Sequence, residues 1–252
     1  MGASLHEITA SLDALLECTG LTDASLNGLQ VEASEDVVTV GLAVDAALPT
    51  LEMARDADCQ LLIVHHGLFW GSDQPLRGAL GRRVACCFES GISVYASHLP
   101  LDVHAEVGNN ALLSRALGAD PIGGFGLLGS VPLGTVADLP ESMPLAELAG
   151  RLAATGCDDQ TMWAFGPDPV RRLAVLTGSG CSFLDEAIAS GADCFITGEA
   201  KHSAYHAARE AGINCIFAGH YATETFGVRA LGARLAEQFG VETEWLHLPT
   251  GI

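Results

Sequence analysis

Three histidines and two carboxylates stand where this sequence could do metal chemistry: His65 and His66, Asp102, and the pair His220 and Glu224. His65-His66 follows Leu61-Leu62-Ile63-Val64, so it sits where a buried strand runs out. Active sites of α/β sheets lie at such carboxyl ends. Adjacent residues on a continuing strand point to opposite faces, so both imidazoles reach one site only if the strand breaks, and Gly67 supplies a permissive backbone for that break. Asp102 leaves another strand in a segment stiffened by Pro100; taken alone, it reads equally as a helix N-cap. His220 and Glu224 share one face if the chain is helical from Tyr221 onward. Three imidazoles and two carboxylates suit zinc, iron or manganese rather than calcium. The set exceeds what one tetrahedral ion requires. A carboxylate bridging two ions roughly 3.5 to 4 Å apart fits the surplus, and such a pair can activate a water and polarise a substrate oxygen together.

The elements that must position these residues form an α/β pattern. Strand-like runs (Val37 to Val44, Gln60 to Val64, Ile92 to Ala96, Arg172 to Leu176, Cys194 to Thr197, Asn214 to Ala218) alternate with Ala- and Leu-rich helical segments, which predicts mostly buried strands. The two halves resemble each other. Ala57-Asp58-Cys59, an apolar strand and His65-His66-Gly67 are matched by Ala192-Asp193-Cys194, an apolar strand and Gly198-Glu199. Glu89-Ser90-Gly91-Ile92 leads to His98 and Asp102, and Glu210-Ala211-Gly212-Ile213 leads to His220 and Glu224. This repetition predicts an internal duplication: two similar α/β lobes, residues 1–125 and 126–252, with the metal site in the cleft between them. The boundary is expected within Gly118 to Leu145, which is dense in Gly and Pro. By the same correspondence His98, Glu199 and His202 become candidates for catalytic or supporting roles.

Composition narrows the function further. Lys plus Arg total 12 against 31 Asp plus Glu, a net charge of -19, which repels phosphate backbones and argues against direct nucleic-acid binding. No apolar run reaches the roughly 20 residues of a membrane span. The first residues read as an amphipathic helix rather than a signal peptide, so a cytoplasmic location is expected. Eight cysteines without a CxxC pair read as small buried residues. Gly124-Phe125-Gly126-Leu127-Leu128-Gly129 matches GxGxxG, yet a proline-interrupted segment follows it, and it is rejected as a dinucleotide site. Thr177-Gly178-Ser179-Gly180 is either a phosphate-holding loop or a tight turn.

Over nearly its whole length the sequence resembles the Nif-three-like dinuclear metal-binding proteins, often named GTP cyclohydrolase I type 2 homologues. The resemblance rests on Asn27-Gly28-Leu29-Gln30-Val31, His65-His66-Gly67-Leu68-Phe69-Trp70, His98-Leu99-Pro100-Leu101-Asp102, Thr197-Gly198-Glu199-Ala200-Lys201-His202 and Gly219-His220-Tyr221-Ala222-Thr223-Glu224. It places the family's metal ligands on His65, His66, Asp102, His220 and Glu224. It also implies a toroidal homohexamer, here in the compact form without an inserted domain. The leading expectation is a hydrolase that uses two divalent ions on a small molecule, a nucleotide or a phosphoester. The alternative is a non-catalytic metal-binding, metal-delivery or regulatory scaffold protein.

Overall fold

The computed structural model describes residues 2–17 and 19–252, which divide into two compact α/β units. One unit runs to Leu101 and takes in Gly227–Leu248; the other is Asp102–Phe226 with Pro249–Ile252. The division therefore does not fall at residue 125.

The first unit opens with β1 (Ala3–Ser4) and α1 (Leu5–Leu15), the helix expected from the leucine spacing, which buries Leu5, Ile8 and Leu12. Then come β2 (Gly28–Val31), β3 (Asp36–Val37, paired with β1), β4 (Thr39–Asp45), α2 (Leu48–Asp56), β5 (Leu61–His66), α3 (Gly78–Ser90) and β6 (Ser93–Ala96). Strands β4, β5 and β6 are parallel, and β2 runs antiparallel on the outer side of β6. Their near-continuous apolar runs reflect burial on both faces: Leu62, Val64 and Val94 pack with Leu51 and Cys87 from the helices. Gly91 ends α3 in the left-handed conformation at φ 65°, which favours a residue without Cβ. α4 (Leu99–Val103) lies at the division.

The second unit contains α5 (Asn109–Ala116), β7 (Asp120–Leu128), β8 (Val131–Met143), α6 (Leu145–Ala154), β9 (Thr161–Trp163), β10 (Val170–Leu176), a 3-10 turn (Gly180–Phe183), α7 (Leu184–Ala189), β11 (Cys194–Thr197), α8 (Ala204–Ala211), β12 (Asn214–Phe217) and α9 (His220–Thr223). Its sheet has the order β7-β8-β10-β11-β12-β9. Strands β10, β11 and β12 are parallel, with β9 antiparallel outside β12. Leu173, Val175, Ile196 and Ile216 share its core with Leu148 and Leu152 of α6. Gly212 ends α8 at φ 68°, as Gly91 ends α3. Last, α10 (Thr225–Phe239) leads to β13 (Glu242–Trp245), which joins β4 in parallel and completes the first unit's sheet as β13-β4-β5-β6-β2.

The Gly118 to Leu145 stretch, expected to connect two lobes, instead builds the hairpin β7-β8 of the second sheet. Its glycines serve close packing there: a Cβ on Gly134 would overlap the Phe125 ring, and one on Gly124 would sit 2.6 Å from Pro132. The GxGxxG match falls inside this hairpin, consistent with its rejection as a nucleotide loop.

Seven described cysteines are free, and all but Cys86 are buried. Burial pushes the Cys87 thiol up to about 12 and that of Cys59 to about 11, so both are inert thiols. Cys18 lies outside the described residues. No described helix is long and apolar enough to cross a membrane.

Candidate metal centre

In the first unit, β5 carries both histidines to its carboxyl end without breaking. His65 is fully buried and its Nδ1 lies 3.0 Å from the Ser97 carbonyl oxygen, while His66 Nδ1 lies 2.8 Å from Asp45 Oδ1 on the neighbouring strand. The ring centroids are 4.7 Å apart. Gly67 contributes space rather than unusual dihedrals: a Cβ there would stand 2.6 Å from Ala96 Cβ and collide with the Gln30 amide. Gln30 uses that clearance to cap the turn, accepting from Leu68 N at 2.6 Å and donating to the Leu26 carbonyl at 2.5 Å.

His98 joins this pair. Its ring lies 5.0 Å from that of His65 and 5.6 Å from that of His66, and one ligand atom from each of the three imidazoles falls within 4.8 Å of the others. The segment Asp23–Asn27 holds it at two points: Asn27 Oδ1 accepts from His98 N at 2.8 Å, and Asp23 Oδ1 lies 2.9 Å from His98 Nδ1. Burial pushes the Asp23 carboxyl up, but hydrogen bonds from His98, Asn27 and the Ser25 amide outweigh it and hold the group well below the usual carboxylate range. Trp70 stands edge-on to His98 at 4.9 Å, with its indole N–H donated to the Gly67 carbonyl.

In the second unit the carboxylates dominate. Asp102 is buried in α4 and its Oδ1 accepts from Asn109 Nδ2 at 2.8 Å and Thr177 Oγ1 at 3.2 Å. Glu224 caps α9 and is 3% exposed, with Oε2 3.1 Å from His220 Nε2. Glu199, just past β11, holds His220 Nδ1 in a very short hydrogen bond. Burial favours the neutral ring, but Glu224 and Glu199 together overcome it and raise the His220 pKa to about 9. Thus Glu199 lies against this group, whereas His202 is exposed in the turn before α8 and stands apart from it.

The Thr177–Gly180 loop links these groups. Thr177 bonds Asp102, and the next residue, Gly178 (φ 65°), passes so close to Glu224 that a Cβ would strike its carboxylate. Amides that could have cradled a phosphate are already engaged: Thr177 N with Asn110 Oδ1, Gly178 N with Thr223 Oγ1 and Gly180 N with Thr197 Oγ1. The tight-turn reading holds. Sequence reasoning passed over Asp23, Asp45, Asn109 and Asn110, and read Thr177 only as part of a loop. Asp45 and Thr177 had a signal, since each directly follows an apolar strand run.

The donor set fits a transition-metal ion. Carbonyl and carboxylate oxygens beside Nδ1 of His65 and His66 require that nitrogen to carry the proton, so Nε2 is the atom that could ligate an ion. Residues 3–250 match the model of the family described as Duf34/NIF3 (NGG1p interacting factor 3). The chain belongs to the Duf34/NIF3 family. The family resemblance drawn from the motifs is thereby borne out. Among Duf34/NIF3 relatives, a protein of Archaeoglobus fulgidus named "GTP cyclohydrolase 1 type 2 homolog" is 43% identical over 249 residues, spanning 99% of this chain and 100% of its own. One of the same name from Deinococcus radiodurans is 38% identical, spanning 98% of this chain and 94% of its own. The crystal structure of TTHA1606 from Thermus thermophilus superposes with a TM-score of 0.90 at 41% identity, covering 99% of this chain and 100% of that one.

Proposed function

We propose that this Duf34/NIF3 protein is a metal-dependent hydrolase of a small substrate, a nucleotide or a phosphoester, and that His65, His66, Asp102, His220 and Glu224 hold two divalent ions of zinc, iron or manganese. The observation that carries this reading is the donor chemistry: imidazoles held by Nδ1 contacts to oxygens at one strand end, with ligand atoms gathered within 4.8 Å, together with carboxylates buried and hydrogen-bonded rather than solvated. Bound ions of this kind lower the pKa of water toward neutrality and polarise a substrate oxygen. The chain's own contribution is orientation. Asp45 and the Ser97 carbonyl fix the tautomers of His66 and His65, Asn109 and Thr177 fix Asp102, and Glu199 fixes His220. The name borne by the relatives, GTP cyclohydrolase 1 type 2 homolog, makes GTP the first substrate to try.

We read the matching strand orders of the two units as an internal duplication, and a homohexamer as the assembly; a native mass other than six chains by light scattering refutes the latter. The functional test combines elemental analysis with turnover on a panel of nucleotides and phosphoesters. Two equivalents of metal with turnover are expected, both reduced by His65→Ala and by Glu224→Gln. Full metal loading with no turnover across the panel refutes the hydrolase, and transfer of that metal to an apo-acceptor would assign a delivery role instead.

A further inference from the structure

We infer that Trp70 is a substrate-recognition residue of the first unit: its indole takes a planar heteroaromatic ring, such as a nucleobase, by stacking beside His66. The inference rests on the hydrolase reading and deepens it, by choosing the nucleotide over a simple phosphoester.

Trp70 is not placed as core. In Gly67-Leu68-Phe69-Trp70, Leu68 is buried in the first unit's core and Phe69 packs against it, whereas Trp70 is half-buried and lies against imidazoles. Its ring centroid stands 5.9 Å from that of His66 and 4.9 Å from that of His98. A large aromatic ring contributes most to stability when fully buried. An indole left partly open beside two polar rings forgoes that gain, and the chain leaves it directly through an exposed loop, residues 71–77.

The indole is also held in place. Its backbone faces Ser25 in an isolated antiparallel bridge, with Leu26 N donating to the Phe69 carbonyl at 3.1 Å and Gly71 N to the Ala24 carbonyl at 2.7 Å. Gln74 Nε2 donates to the Trp70 carbonyl at 2.7 Å, and Trp70 Nε1 to the Gly67 carbonyl at 2.9 Å. The ring's one polar atom is therefore occupied within the protein, and its π surface is what remains for a ligand. Such a surface selects planar rings by stacking. Phosphate alone finds less to hold it: the chain carries a net charge of -19, and the amides of Thr177, Gly178 and Gly180 are already engaged. A base stacked on Trp70 stands next to His66, a member of the proposed metal-holding set, so one residue joins recognition to the reacting centre.

The test compares guanosine monophosphate with ribose 5-phosphate, probes that differ by the base, on metal-loaded full-length protein, by calorimetric titration and indole fluorescence. The nucleotide should bind the tighter and quench the emission. Trp70→Leu should weaken nucleotide binding by roughly 5- to 150-fold, the range of one lost base–aromatic stack, while ribose 5-phosphate affinity and metal content stay unchanged. Trp70→Phe, which keeps a ring, should retain most of the nucleotide affinity while the quench falls, and it carries the test if the leucine variant melts early. Nucleotide binding no tighter than that of the sugar phosphate, or unaltered by Trp70→Leu, overturns the inference. Equal losses for both probes, or a parallel loss of metal, also overturn it, since they mark Trp70 as a prop for the histidines. The hydrolase reading fails separately: Trp70-dependent nucleotide binding without turnover across the panel refutes catalysis and leaves the stacking site standing. Turnover of simple phosphoesters without nucleotide binding does the reverse.

Discussion

In the first unit the third parallel strand ends at Ala96 and the chain turns to His98, whose ring is set by Asp23; in the second, that strand ends at Phe217 and the chain turns to His220, set by Glu199. The frames match in detail. Gly91 and Gly212 end the preceding helices in the same left-handed conformation, and a buried polar residue opens each following strand. Ser93 Oγ accepts from the amides of Ala33 and Ser34; Asn214 accepts from Gly166 N and donates to the carbonyls of Pro167 and Asp193. The donors on these frames differ. The first unit gathers imidazoles at its strand ends (His65, His66, His98); in the second, two carboxylates flank one imidazole (Glu199 and Glu224 on His220), and Asp102 is buried against Asn109 and Thr177. Similar α/β frames thus carry a nitrogen-rich set in one unit and an oxygen-rich set in the other, so the units differ in the donors at and beyond their strand ends.

The sharpest way to break this comparison is at the glycines that admit the donors. Gly178→Ala must both adopt a left-handed backbone and push Glu224 aside, which should cost about 3 kcal/mol. Gly67→Ala meets Gln30 and Ala96 but needs no unusual φ, so about 2 kcal/mol is expected. Urea denaturation of each variant checks the order; a larger loss at Gly67 would show that the first unit is the more rigid. Next come the buried anchors. Asn214→Ala strands more backbone partners than Ser93→Ala and should cost about 3 kcal/mol against about 2, read from the same unfolding curves. Comparable losses would mean the two anchors do equal duty despite unequal bonding.

Removing the outer carboxylates sharpens the chemical contrast with a smaller effect. Asp45→Asn and Glu199→Gln should each weaken metal binding by roughly 10- to 100-fold while leaving the melting temperature nearly unchanged. Competition with a calibrated chelator measures the first, and no change in either variant would deny these residues their positioning role. Smallest is the ion pair Arg172–Asp138 across β10 and β8, a contact of the second sheet, with Nε 2.8 Å from Oδ1 on the surface. The hydrogen bond from Arg172 holds the Asp138 carboxyl below its ordinary value. A depressed carboxylate stabilises the fold above its unfolded pKa of about 3.9, and that contribution is lost as pH falls through the folded value. Arg172→Gln should therefore lower the melting temperature slightly at pH 7 and lose its effect below about pH 4. A difference that persists in acid would exclude the charge as its source.

The strands and their ends were legible because buried parallel strands are continuous apolar runs closed by glycine caps. All six expected runs became strands, with His65-His66 at the end of one of them. The hairpin β7-β8 was not, because its Gly and Pro content has the composition of a linker. Structure explains the prolines: Pro121 lies on the edge strand, Pro132 pairs with Leu127 near the hairpin turn, beyond the reach of β10, and Pro140 falls where the β8–β10 register shifts. The return of β13 to β4 was equally hidden, since nothing in a short strand states its partner. Asp23 and Asn109 escaped notice for a related reason: a hydrogen bond between side chains leaves no periodic trace.

That return of β13 governs the order in which the protein can be made. Thr39 waits for Glu242 as its partner, so the edge of β4 stays open while nearly the whole chain is synthesised, and most of the second unit, Asp102 to Phe226, emerges beforehand. An unpaired parallel edge is a template for other chains. A ribosome that stops anywhere before β13 therefore releases a product whose first sheet is unfinished and adhesive, and the last strand acts as the seal on the histidine-bearing half.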